Sequence, residues 1–93
     1  MNLNTTLLQA AQMVHTTTVR LMLKAGANVH VGDDQALRLA AHNGHTDVVR
    51  VLLEHGADIH ACQDWALRYA SEYGHTDVVK LIKQHLEIQH DRH

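Results

Sequence analysis

Apolar residues along this chain come in short groups with helical spacing, and the groups recur. In residues 34–63, Leu37, Ala40 and Ala41 share one face of a helix, and Val48, Val49, Leu52 and Leu53 share the face of a second. Asn43-Gly44 separates the two, because glycine takes the left-handed conformation that ends a helix without a Cβ penalty. Asp34 is expected to cap the first helix and Thr46 the second, with Asp47 near the positive end of the latter. Gly56 closes the second helix, and 57–63 lead to the next cap, Asp64. Residues 64–93 repeat the pattern with Leu67, Ala70, Gly74, Thr76, Val78, Val79, Leu81 and Ile82. Leu86 stands where glycine is expected, so the last helix should run on towards Ile88 before a polar tail, His90–His93.

A third, worn copy lies upstream. Leu7, Ala10 and Ala11 fall on Leu37, Ala40 and Ala41, and His15, Thr16, Val19 and Arg20 on His45, Thr46, Val49 and Arg50. Val14 replaces the glycine and Thr18 a valine. A fixed period of this length means units that bury their apolar faces on one another. The expected fold is therefore all-α, a solenoid of three helix-turn-helix units forming a single domain over 1–93. Its parts are a degenerate N-terminal repeat at 4–33, a central repeat at 34–63 and a C-terminal repeat or cap at 64–93.

These residues resemble the ankyrin repeat. Ala36-Leu37-Arg38-Leu39-Ala40-Ala41 sits where that family has T-P-L-H-x-A-A. Gly44-His45-Thr46-Asp47-Val48-Val49 with Val51-Leu52-Leu53 is similar to its G-H-x-x-V-V-x-x-L-L helix. Gly56-Ala57-Asp58-Ile59-His60-Ala61 and Gly26-Ala27-Asn28-Val29-His30 resemble its G-A-D-V-N-A connector. The family period is 33 residues, whereas equivalent positions here lie 30 apart, as Gly44 and Gly74 do. The missing residues fall where the family builds a β-hairpin finger, so the resemblance implies an ankyrin-repeat solenoid with shortened or absent fingers and a tight loop at 59–63. The Pro-less, Ala-Leu-Arg start is similar to the short repeats common in giant-virus proteins. The family resemblance implies a protein-binding scaffold, with a protein partner and no cofactor.

Composition agrees with that class. The chain has no Pro, one Trp, two Tyr and no Phe, and its net charge is −2 with acids and bases interspersed. A phosphate-binding surface needs clustered Lys and Arg, so no nucleic-acid partner is expected. No membrane partner is expected either, since no run of about 18 apolar residues occurs and the first residues lack the pattern of a signal peptide. A single cysteine, Cys62, excludes an internal disulfide and fits an intracellular, cytoplasmic setting.

Ten histidines invite a metal reading, but the period divides them. His15, His45 and His75 share one register, His30, His60 and His90 a second, and His55 and His85 a third. Equivalent positions in a stack stand roughly 10 Å apart, too far to share a zinc ion, so no metal site is expected. His45 and His75 are expected to hydrogen-bond backbone between layers. Pairs such as His42 with His45, or His90 with His93, supply two ligands at most. Cys62 with His60, or Ser71 with His75, lack a third member and an oxyanion element, so no enzyme activity is expected.

Specificity is better sought where the copies differ at first-helix positions: Gln35/Trp65, Leu39/Tyr69, His42/Glu72 and Asn43/Tyr73, with Arg38 and Arg68 in register beside them. Trp65, Tyr69 and Tyr73 gather every Trp and Tyr of the chain at i, i+4, i+8. Such side chains combine large contact area with a polar handle and are enriched at binding hot spots. Two roles are open to them: partner contact, or packing of Trp65 and Tyr69 under the shortened loop. The arginines are open to an acidic partner segment or to pairing with Asp33, Asp34, Asp64 or Glu72. Leu3, Leu7, Leu8 and Met13 lie on an end repeat that should have a polar outer side, and if some of them are exposed they would form an apolar face for a homodimer or mark a piece of a longer repeat array.

Overall fold

A computed structural model describes residues 2–90, with side chains as far as 87. The chain forms six helices: α1 (Leu3–Gln12), α2 (Thr16–Lys24), α3 (Val31–His42), α4 (Thr46–Glu54), α5 (Ala61–Glu72) and α6 (Thr76–His90). They pair as hairpins α1–α2, α3–α4 and α5–α6. The first helices stack as one layer (α1, α3, α5) and the second helices as another (α2, α4, α6). No strand occurs among the described residues, so no finger projects between hairpins. As expected from Leu86, α6 continues to His90. The tail 91–93 and the pairing of His90 with His93 lie outside the described residues.

The core lies between the layers. Leu7 and Leu37 from the first helices, and Val19, Val48, Val49, Leu52, Val78 and Ile82 from the second, are fully buried. Alanines 10, 11, 36, 40, 41, 66 and 70 let the first helices approach closely, and all are buried. Each helix-to-helix turn closes in the same way. The amides of His15, His45 and His75 donate to the carbonyls of Ala10, Ala40 and Ala70, five residues back, across a left-handed residue. That residue is Gly44 or Gly74 in two turns and Val14, at φ 65°, in the first.

Both cap assignments need correction. Thr46 and Thr76 are the first residues of their helices, and His45 occupies the cap position of α4 with no side-chain cap bond. Asp34 and Asp64 do not cap α3 and α5 through their carboxylates. They are the third residues of left-handed turns, Gly32-Asp33-Asp34 (φ 62°, 56° and 59°) and Cys62-Gln63-Asp64 (φ 54°, 59° and 62°). The amides of Asp34 and Asp64 donate to the carbonyls of His30 and His60 across each turn. This three-residue left-handed turn is how the shortened connector re-enters the first helix without a finger.

Candidate functional site

The turns are tied to the stack by their aspartates. Asp34 is 4% exposed. Its Oδ1 accepts from Nδ1 of His30 at 2.9 Å and its Oδ2 from the amide of Asp58, in the next connector, at 2.6 Å. One repeat earlier, Oδ1 of Asn4 accepts from the amide of Asn28 at 2.8 Å. His60 donates to Asp64 at 2.5 Å, as His30 does to Asp34. These bonds account for His30 and His60 of the second histidine register. In the third, Nδ1–H of His55 donates to the carbonyl of Val51 at 2.9 Å.

In the first register His45 and His75 bridge layers, as expected from the sequence. Nε2–H of His45 donates to the carbonyl of Gln12 at 2.9 Å, and Nε2–H of His75 to the carbonyl of His42 at 2.8 Å. The His75 ring lies over Gly44, where a Cβ would stand 2.7 Å from its Nδ1. Among the described residues no group of three or more His, Cys, Asp or Glu side chains is placed to hold a metal. Neither candidate nucleophile has its base: His60 is turned to Asp64 and His75 to the backbone of His42.

The aromatic residues form one ridge on the outer side of the first helices. Trp65 and Tyr69 stack with centroids 4.1 Å apart, and Tyr73 follows Tyr69 at 6.2 Å with the same 25° interplanar angle. The ring of His42, from the preceding repeat, meets Tyr73 edge-on at 4.8 Å and lies 5.7 Å from Trp65 and 6.1 Å from Tyr69. The guanidinium of Arg38 stands 5.5 Å from the Trp65 centroid. Tyr73 is 54% exposed, while His42, Trp65 and Tyr69 are half-buried. Trp65 is thus packed, against a cation and two rings, and still presents part of its surface.

Arg38 does not pair with Asp33, Asp34, Asp64 or Glu72. Its Nη2 donates to the carbonyl of Gly32 at 2.8 Å and its Nε to that of Asp33 at 3.2 Å, so it caps the left-handed turn. Arg68, in the same register, is exposed and makes no hydrogen bond or ion pair among the described residues. Glu72 is exposed beside it. Of the remaining candidates, Gln35 is half-buried against Gly32, Leu39 is half-buried outside the apolar core, and Asn43 is exposed with its Oδ1 3.3 Å from Nδ1 of His42. The structure therefore brings together His42, Trp65, Tyr69, Tyr73 and Arg38. It leaves Gln35, Leu39 and Asn43 at the margin, with Arg68 and Glu72 exposed on the flank.

The amino-terminal face is exposed in part. Leu7 is buried and Leu8 half-buried, so of the four residues named for an apolar face only Leu3 and Met13 are exposed.

A stack of helical hairpins, with its layers tied by the bonds of His45 and His75 to backbone carbonyls, is a repeat solenoid, an architecture that offers extended surfaces. Among the described residues no helix is long and apolar enough to cross a membrane. The chain belongs to the ankyrin-repeat family: residues 7–92 match the family model described as ankyrin repeats in three copies. No curated protein matches it.

Proposed function

We propose that the chain is a protein-binding module that engages its partner along the first-helix ridge. The observation that carries this reading is the half-exposed row of rings, Trp65, Tyr69 and Tyr73 with His42, built where the central repeat has Gln35, Leu39 and Asn43. Stacked rings already ordered by one another lose little side-chain freedom on binding, which is the property that makes aromatic anchors effective. Arg38 helps order the ridge, while Arg68 offers an unengaged guanidinium to a carboxylate of the partner. Gln35, Leu39, Asn43 and Glu72 complete the contact area.

The ridge is tested by partner capture with Tyr69→Ala, Tyr73→Ala and Arg68→Ala, alone and together, each checked for unchanged helical circular dichroism. Tyr69 and Tyr73 should each cost about 1–2 kcal/mol of binding. Capture unchanged by all three substitutions rejects the ridge as the binding surface.

A second reading is homotypic association through the amino-terminal repeat. Among the described residues, four of the five exposed large hydrophobics, Leu3, Met13, Val14 and Leu21, lie in the amino-terminal hairpin α1–α2. We take 1–93 as a single domain with repeats at 4–33, 34–63 and 64–93, and place it among the short, Pro-less repeats of the kind found in giant-virus proteins. The unpaired Cys62 supports an intracellular, cytoplasmic setting.

A further inference from the structure

We propose that copies of this chain associate end to end, the amino-terminal hairpin of one copy docking on the carboxyl-terminal hairpin of the next. The chain's own repeat-to-repeat junction is the template. At the junction of the second and third repeats, His75 lies over Gly44 and donates to the carbonyl of His42. Gly74 holds the same left-handed conformation as Gly44, with φ 74° at both, yet nothing among the described residues lies within 4 Å of where its Cβ would stand. The receptor for a histidine is therefore formed at Gly74 and Glu72 and is open among the described residues. Ala70, Ser71, Gly74, Thr76 and Val79 line a shallow groove of about 240 Å³ beside it.

The matching histidine exists at the other end. His15 is exposed and donates to nothing among the described residues. Its backbone (φ −86°, ψ 73°) has the conformation of His45 (φ −84°, ψ 78°), the residue that makes the inter-repeat bond one repeat later. His15 is thus presented in the bonding geometry without a bond among the described residues.

The apolar surfaces correspond as well. Leu67 and Val79 are half-buried, where their counterparts Leu37 and Val49 are fully covered by the following repeat. On the incoming side Leu21 is 55% exposed, where Val51 is buried by the preceding one. Polar residues temper both sides: Thr6 and Thr18 replace Ala36 and Val48, and Ser71 and Lys83 replace Ala41 and Leu53. The junction is therefore weaker than the intramolecular ones and reversible. It is heterologous, so it leaves a free face at each end and adds copies without closing on a dimer. It adjoins the first-helix ridge at Glu72, whose carbonyl stands in the place of the His42 carbonyl.

Sedimentation of the purified chain over a concentration series, up to the millimolar range, tests this. The weight-average mass should rise continuously without a plateau at twice the monomer. Gly74→Ala, whose methyl would occupy the histidine's place, and His15→Ala should each weaken association by about tenfold or more. The double variant Ser71→Ala, Lys83→Leu should strengthen it by about tenfold or more, since burying a leucine in place of an ammonium is worth at least that factor. A mass that stays monomeric in both the natural sequence and the double variant overturns the proposal. So does a mass that levels off at the dimer, or association that ignores Gly74→Ala and His15→Ala but is lost with Leu3→Ser.

Discussion

Asn4 and Asp34 accept the same bond, from the backbone 24 residues on, with different charges. What the position needs is an acceptor oxygen, and the charge is secondary. Asp34→Asn should keep the bond to the Asp58 amide, with the His30 ring shifting its proton to Nε2, and cost under about 1 kcal/mol. Asp34→Ala leaves that amide unpaired and should cost about 1–3 kcal/mol. For a chain of this size, the larger loss lowers the melting temperature by several degrees, at about 4–8 °C per kcal/mol. Equal losses for the two variants would show that charge governs the position. The turn ahead of Asp34 makes a second residue-scale argument. Left-handed backbone costs an L-residue about 1–2 kcal/mol, and aspartate or asparagine tolerates it best. Cys62 has no such tolerance, is exposed, and stands where the central repeat has Gly32. Cys62→Gly should raise the melting temperature, by the relieved strain less the entropy that glycine adds to the unfolded chain; a lower value would mean that the thiol packs usefully.

Within the turn-and-helix element the decisive pair is Gly44 and Gly74. Both are left-handed, but only Gly44 lies under a histidine of the next repeat. Gly74→Ala therefore carries conformational strain alone, about 1 kcal/mol, and Gly44→Ala adds the displacement of a ring held by its bond to the His42 carbonyl, for about 2–3 kcal/mol. In a His75→Ala background the Gly44→Ala cost should fall to the Gly74→Ala value, and additivity in that double-mutant cycle would contradict the contact. These elements were largely legible beforehand. The spacing of Leu37, Ala40, Val48, Val49 and Leu52 announces two helices per unit, and the register of His45 and His75 announces a bond between layers. The left-handed turns were not legible, because Cys62-Gln63 is a pair that local preference would not place there and only the shortened connection between packed helices demands it. The fate of Arg38 follows from the same omission: the carbonyls of Gly32 and Asp33 become its partners only once that turn exists. At the ridge, the i, i+4, i+8 spacing of Trp65, Tyr69 and Tyr73 shows in the sequence. The closing of His42 onto them depends on the offset between stacked layers, which a linear pattern does not carry.

Across the whole molecule, stability is distributed along one dimension. Each hairpin touches only its neighbours, and the central one is covered on both sides. Val48, Val49, Val51, Leu52 and Leu53 of α4 are all buried, whereas the same stretch of α2 exposes Leu21 and that of α6 contains the exposed Lys83. Hydrogen exchange should therefore be slowest for the amides of α4 and the later turns of α3. The first turn of α1 and the part of α6 beyond the stack should exchange at least about tenfold faster, since terminal units open without the rest. Equal protection in the three hairpins would mean that the stack unfolds only as a single unit. End-to-end association adds a sharper expectation. As concentration rises, a second copy covers the outer sides of the first and third hairpins, so protection in α2 and α6 should climb towards that of α4 while α4 itself changes little. A gradient that stays fixed across concentrations, in a sample whose mass is growing, would place the contact elsewhere than at the ends of the stack.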